Sequence, residues 1–131
     1  MPIKIETVLI CDDVRREVSG KEIIIGVYGG SITVPRYPGT MVATIWLEFD
    51  AVEHGDHKLE LKIETPSGNP PIEISIDYSV DNSGPMSLFV PRLPLHFERD
   101  GDIVISIKLD EQNWEIVKKK SILRGAFPPS A

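Results

Sequence analysis

The stretch 72–80 reads Ile72-Glu73-Ile74-Ser75-Ile76-Asp77-Tyr78-Ser79-Val80, in which apolar and polar residues alternate without a break. Successive side chains of a β-strand point to opposite faces of a sheet, so the pattern predicts a strand with one dry face. Residues 58–64 and 103–109 show a similar alternation, as is typical of antiparallel sheets. The side chains expected inside the protein are Leu59, Leu61, Ile63, Ile72, Ile74, Ile76, Ile103, Ile105 and Ile107.

The composition of the whole chain favours the same fold class. The 131 residues include 17 Ile and 11 Val against 9 Leu and 4 Ala, and β-branched residues pack better on a sheet than in a helix. Eleven prolines and ten glycines cluster between the apolar runs, where they reverse the chain. We predict an all-β, antiparallel immunoglobulin-like β-sandwich of about eight or nine strands. A single domain is expected over residues 1–125, with a short flexible tail at 126–131.

Two parts of the chain depart from simple alternation. Residues 22–28 and 41–52 are more uniformly apolar, which predicts strands that are buried on both sides or covered by loops. Pro91 and Pro94 cannot donate to a strand ladder, so residues 86–97 are predicted to form an edge strand or a crossover.

The segment 110–121 permits two interpretations. Asp110 and Asn113 suit a hairpin turn, after which a last strand would run from Trp114 to Leu123. A short helix starting at the same place is the alternative, and we favour the strand. The lysine run at 118–120 is then predicted to protect a solvated edge strand against aggregation.

Charge and cysteine content restrict the partners and the compartment. The net charge is −6, whereas nucleic-acid binding depends on concentrated positive charge, so no nucleic-acid partner is expected. The single cysteine, Cys11, excludes an intramolecular disulfide and suits a reducing cytosol. The first residues alternate charged and apolar side chains, unlike a secretory signal, and no membrane association is expected. The predicted location is the cytoplasm.

The most distinctive polar stretch is 11–21, which lies between two strongly apolar runs. We interpret it as a loop whose charged residues form a candidate partner-binding surface: Asp12, Asp13, Arg15, Arg16 and Lys21. Arginine suits this role because its planar guanidinium donates paired hydrogen bonds to carboxylates. The other interpretation, which we favour, is that an aspartate caps a turn and the arginines pair locally. Cys11 is expected to be a buried small residue, since neighbouring carboxylates disfavour its thiolate.

Several short motifs are distributed along the chain: Leu9–Arg15, Gly20-Lys21, Gly26–Gly29, Val34-Pro35, Gly55–Leu61 and Pro66–Asn69. Together they resemble an uncharacterised bacterial family of small cytosolic β-sandwich proteins. The resemblance extends over nearly the whole chain. It implies a fold and no activity or catalytic residues, because the family has no assigned function.

Residue types that bind metals cluster in one turn region: Asp50, Glu53, His54, Asp56 and His57. Histidine and carboxylate side chains can ligate zinc or other divalent ions, but they must converge on one point. Acidic turns are common in an acidic protein, so we predict solvated hairpin turns, no metal and no cofactor.

Two other ligand classes stay open as alternatives. Loop carboxylates could bind calcium; the candidates are Asp12, Asp13, Asp100 and Asp102. Exposed aromatic side chains could stack on a sugar or a peptide; the candidates are Tyr28, Tyr37, Trp46 and Trp114. Trp46 is flanked by apolar residues and is expected in the core, which leaves Trp114 as the better surface aromatic.

These observations favour a non-catalytic cytoplasmic interaction module that binds a protein partner or itself. A ligand-binding module for carbohydrate or calcium is the alternative, and a small hydrolase is the weakest candidate. The sequence contains no phosphate-binding loop, helix-borne metal motif or nucleophile elbow, and strand edges and loops are ready surfaces for protein partners.

Overall fold

The computed structural model describes residues 4–110 and 112–125, and these residues form nine strands. The strands are β1 (Lys4–Arg16), β2 (Glu22–Val27), β3 (Ile32–Val34), β4 (Gly39–Ala51), β5 (Gly55–Glu64), β6 (Ile72–Val80), β7 (Gly84–Phe97), β8 (Gly101–Leu109) and β9 (Glu115–Arg124). The described residues contain no helix, so none is long and apolar enough to cross a membrane. The all-β prediction is confirmed, while the tail at 126–131 lies outside the described residues.

Two sheets form a sandwich. The first sheet has the strand order β2-β1-β4-β7, and the second has the order β3-β9-β8-β5-β6. Neighbouring strands are antiparallel except for β3 and β9, which run parallel. Because β5, β8 and β9 pair in one sheet while β1, β4 and β7 pair in the other, the chain crosses repeatedly between the two layers.

The core lies between the sheets and is formed by alternate side chains of the central strands. Phe49 and Leu47 of β4 meet Leu61 of β5 and Ile105 of β8 in this layer, and all four are inaccessible to solvent. Fully burying one such side chain stabilises the fold by about 1.5–3 kcal/mol. The alternation of residues 58–64 and 103–109 therefore identified the inward faces of β5 and β8 correctly.

Strand β6 is less buried than its alternation predicts. Ile72, Ile74 and Ile76 are only half-buried and pack against the margin of the core. The physical reason is position, since β6 is the outer strand of the second sheet and, among the described strands, pairs with β5 alone.

Two predictions about the second half of the chain are confirmed. The last segment forms strand β9, within one residue of the predicted bounds, and does not form a helix. Strand β7 contains Pro91 and Pro94 and is the outer strand of the first sheet. A register shift against β4 and a positive φ of 56° at Arg92 accompany these prolines.

The lysine run lies on a strand with two different environments. Strand β9 has β8 on one side along its length, but β3 covers its other side only at residues 122–124. Lys119 is exposed, whereas Lys120 is buried and its Nζ donates to the carbonyl oxygen of Tyr28 at 2.6 Å. The prediction of a wholly solvated lysine edge is therefore wrong at Lys120.

Candidate interaction surface on the β1–β2 hairpin

The polar stretch 12–21 is mostly strand and turn, which corrects the prediction of a loop. Strand β1 continues to Arg16, and β2 begins at Glu22 and pairs with it antiparallel. A turn closes the hairpin, with the Gly20 amide donating to the Glu17 carbonyl at 2.9 Å. The candidate residues Asp12, Asp13, Arg15 and Arg16 therefore belong to β1, and Lys21 lies at the end of the turn.

The hairpin folds back over the outer face of the first sheet. Glu22 pairs with Arg16 across the hairpin, whereas Trp46 of β4 pairs with Leu9, seven residues earlier in β1. A straight ribbon would separate these two levels by about 23 Å, at about 3.3 Å per residue. Trp46 Nε1 nevertheless donates to Glu22 Oε1 at 3.0 Å. We therefore call residues 12–28 the folded-back hairpin.

The bend occurs where Asp12 faces Gly26. Gly26 has a φ of +69°, a conformation that L side chains rarely adopt. A Cβ atom at this position would lie 2.2 Å from the Asp12 carboxylate oxygen Oδ2. Glycine is thus required twice, for the backbone conformation and for the close approach of Asp12.

Glu22 anchors the folded-back hairpin to the sheet beneath it. Its Oε1 accepts hydrogen bonds from Trp46 Nε1 and Ser87 Oγ, and its Oε2 accepts one from Arg16 at 3.1 Å. Burial alone would raise the pKa of Glu22, but the hydrogen bonds from Ser87, Trp46 and Arg16 lower it below its ordinary value. The Arg16 guanidinium also lies 5.8 Å from the centre of the Phe89 ring.

The charged candidates pair within the hairpin. Arg15 Nε lies 3.3 Å from Asp13 Oδ2, and Lys21 Nζ lies 3.6 Å from Glu17 Oε2. Asp12 Oδ1 accepts a hydrogen bond from the Tyr28 hydroxyl at 3.0 Å. This is the local pairing that the sequence analysis favours. Recognition of a partner by these charged side chains stays a prediction.

An apolar stripe lies on the solvent side of the same hairpin. Ile23, Ile25 and Val27 are exposed by 45%, 41% and 47%, while Glu22 and Ile24 face the cleft toward Trp46. The prediction that residues 22–28 are covered on both sides is therefore wrong. Strand β2 is the outer strand of the first sheet, so only one of its faces has protein beneath it.

The other outer strands carry prolines, exposed charges or short length, which discourage edge pairing, whereas β2 carries only the bend at Gly26. Strand β7 contains three prolines, β6 presents Glu73 and Asp77, and β3 is only three residues long. Prolines, charges and short length are the usual protection of sheet edges. Strand β2 reads Glu-Ile-Ile-Ile-Gly-Val, and its one charge, Glu22, is engaged beneath the hairpin.

Several of the candidate metal ligands at 50–57 have other partners. His57 Nδ1 lies 3.1 Å from Asp110 Oδ2, and His57 Nε2 lies 2.9 Å from the carbonyl oxygen of Glu53. Asp56 accepts a hydrogen bond from Ser79 at 2.6 Å. Residues Asp50 and His54 do not join them, and in the part of the chain that the structure describes no three His, Cys, Asp or Glu side chains could hold a metal.

The other ligand candidates are dispersed over the molecule. Trp46 lies on the outer face of the first sheet and not in the core, because its neighbours Ile45 and Leu47 take the core face, and the folded-back hairpin covers it there. Trp114 is packed beneath Lys62 and Lys108, whose Nζ atoms lie 4.5 and 5.2 Å from the ring centre. Asp100 accepts hydrogen bonds from the Tyr37 hydroxyl and the Arg124 amide. Cys11 is fully buried, and burial together with Asp12 raises the pKa of its thiol.

Sequence reasoning missed the anchor Glu22 and the exposed stripe. The signal that could have located the bend was Gly26, since an isolated glycine inside a strand marks a bulge or a close backbone approach. Nothing comparable predicts that Trp46, Ser87 and Glu22 meet, because they belong to three different strands.

The model of a family described as "Family of unknown function (DUF6941)" matches residues 6–118. No curated protein matches the chain.

Proposed function

The chain belongs to the family of unknown function DUF6941, and we propose that it is a non-catalytic protein-interaction module acting through the edge of β2. Its contact surface is the apolar stripe of Ile23, Ile25 and Val27, together with the free backbone edge of their strand. We also propose a bacterial, cytoplasmic setting, in keeping with the lone buried Cys11.

The observation that carries the proposal is the apolar edge of β2, which has no proline and whose one charged side chain is engaged beneath the hairpin. A strand edge offers a row of backbone donors and acceptors, and an added strand from a partner satisfies them. Side chains of the added strand would then cover Ile23 and Ile25 on the solvent side. The Asp13–Arg15 ion pair beside the stripe supplies a polar rim.

The non-catalytic part of the proposal is supported by the state of the reactive side chains. Both His57 nitrogens are occupied by acceptors, so neither is available to remove a proton from a substrate. Cys11 is inaccessible and its thiol pKa is raised, whereas nucleophilic cysteines are accessible thiolates.

We further propose that the sandwich is immunoglobulin-like. The support is the segregation of its strands, since β1, β4 and β7 share one sheet while β5, β8 and β9 share the other. Immunoglobulin domains divide their strands A, B and E from C, F and G in this manner. In this comparison β9 corresponds to strand G, and β3 is a short additional strand that pairs parallel with it.

The test is affinity capture from the native host with wild-type protein, I25K and I116K. Ile25 and Ile116 are both exposed apolar side chains on strands, so each variant should change stability by about 0.5 kcal/mol or less. We expect I25K to lose its bound proteins and I116K to retain them. Retention of the same proteins by folded I25K would contradict the proposal.

A further inference from the structure

We propose that the partner seated on β2 is a second copy of this chain. The two β2 strands would pair antiparallel about a two-fold axis at Ile25 and join the two folded-back hairpins into one four-stranded ribbon. This inference rests on the proposed function, because it identifies the occupant of the same edge.

The spacing of the stripe makes it self-complementary. In an antiparallel pair with its axis at Ile25, Ile25 lies opposite Ile25 of the second copy, and Ile23 lies opposite its Val27. All three exposed side chains therefore face apolar side chains, as cross-strand pairs that stabilise sheets do. Glu22 would lie opposite Tyr28 and not opposite a second Glu22. A two-fold contact of this kind closes on itself and does not generate fibres.

Charge also permits the approach of a second copy at this edge. The chain as a whole carries a net charge of −6, which repels another copy over most of its surface. The folded-back hairpin contains four acidic and three basic residues, and the ion pairs Asp13–Arg15, Arg16–Glu22 and Glu17–Lys21 neutralise most of them internally. Charge therefore opposes the approach of two copies only weakly at the hairpin.

The first measurement is sedimentation velocity of the purified protein over a concentration series at physiological salt. We expect a reversible monomer–dimer equilibrium for wild-type protein and for I116K. In I25K, two lysine ammonium groups would meet at the axis, and we expect dimerisation to weaken by at least about tenfold. Circular dichroism and a thermal melt establish that each variant is folded.

The second measurement tests the axis by oxidative cross-linking. Residues directly opposite in an antiparallel pair have Cα atoms about 4.5–5.5 Å apart, within reach of a disulfide. I25C should therefore cross-link to itself, and I23C should cross-link to V27C in a mixture but not to itself. Wild-type protein is the control, because its Cys11 is buried.

A protein that stays monomeric at all concentrations, or a dimer that I25K leaves intact, would overturn the inference. So would a dimer in which I25C does not cross-link. The test distinguishes this inference from the proposed function. If the protein is monomeric but captures a different protein through Ile25, self-pairing is refuted and the interaction module is supported.

Discussion

At the scale of single residues, His57 connects Glu53 and Asp110 by hydrogen bonds from its two ring nitrogens. The Glu53 carbonyl can only accept a hydrogen bond, so His57 Nε2 carries a proton; the Asp110 carboxylate at Nδ1 is likewise an acceptor. The geometry therefore favours the imidazolium. Hydrogen bonding to Asp110 and to the Glu53 carbonyl raises the pKa of His57. The imidazolium stacks on Tyr78, with ring centres 5.4 Å apart.

This arrangement predicts the sign of a pH dependence. A raised pKa in the folded state means that His57 contributes stability in full below its unfolded value of about 6.5. The contribution is lost as pH rises through the folded-state pKa. We expect the unfolding free energy of wild-type protein to fall over this range, and that of H57Q to fall less. Urea unfolding from pH 5.5 to 8.5 measures the difference.

The matched control for H57Q is H54Q, which removes an exposed imidazole from the same turn region without touching Asp110. Equal pH profiles for H57Q and wild-type protein would show that the His57–Asp110 contact does not contribute to stability. The sequence singled out His57 as a candidate metal ligand. It could not show the contact with Asp110, because 53 residues separate the two along the chain.

At the scale of elements, strands whose position is set by their own residues could be predicted from the sequence. Prolines identified β7 as an edge, and turn-forming residues before Trp114 identified β9. The hairpin differs because its position depends on a long-range contact, from Glu22 to Trp46 and Ser87. The pattern of residues 22–27 predicts a strand, but no local feature shows which face of the sheet that strand will cover.

The bend at Gly26 gives a prediction at this scale. G20A introduces a side chain at a positive φ with open space around it, and should cost about 1–2 kcal/mol. G26A adds the clash with Asp12, which should cost about 1–3 kcal/mol more. Chemical denaturation measures both free energies, and Trp46 fluorescence reports whether the hairpin still covers the sheet.

A double variant separates the free-energy cost of the clash with Asp12 from the cost of the positive φ at position 26. D12A removes the carboxylate that a Cβ at position 26 would meet, so D12A/G26A should be more stable than the sum of the single changes predicts. Strict additivity would show that Asp12 does not determine the bend.

At the scale of the whole molecule, alternation predicts which face of a strand is apolar, but sheet order decides how deeply that face is buried. Ile105 of β8 is fully buried because β5 and β9 flank it and the first sheet covers it. Ile74 of β6 has the same local pattern but occupies the outer strand. Sheet order is a property of long-range pairing, which a single sequence does not contain.

The two isoleucines therefore give a final prediction. Ile105→Ala leaves a cavity in a fully packed core and should lower the unfolding free energy by about 2–5 kcal/mol. Ile74→Ala removes side-chain atoms that are only half-withdrawn from water, and should cost about 1 kcal/mol. The pair is matched in chemistry, and denaturant unfolding of both variants beside wild-type protein measures the difference. Equal losses would mean that the β6 edge is covered in solution, which a partner seated on the second sheet would explain and pairing through β2 would not.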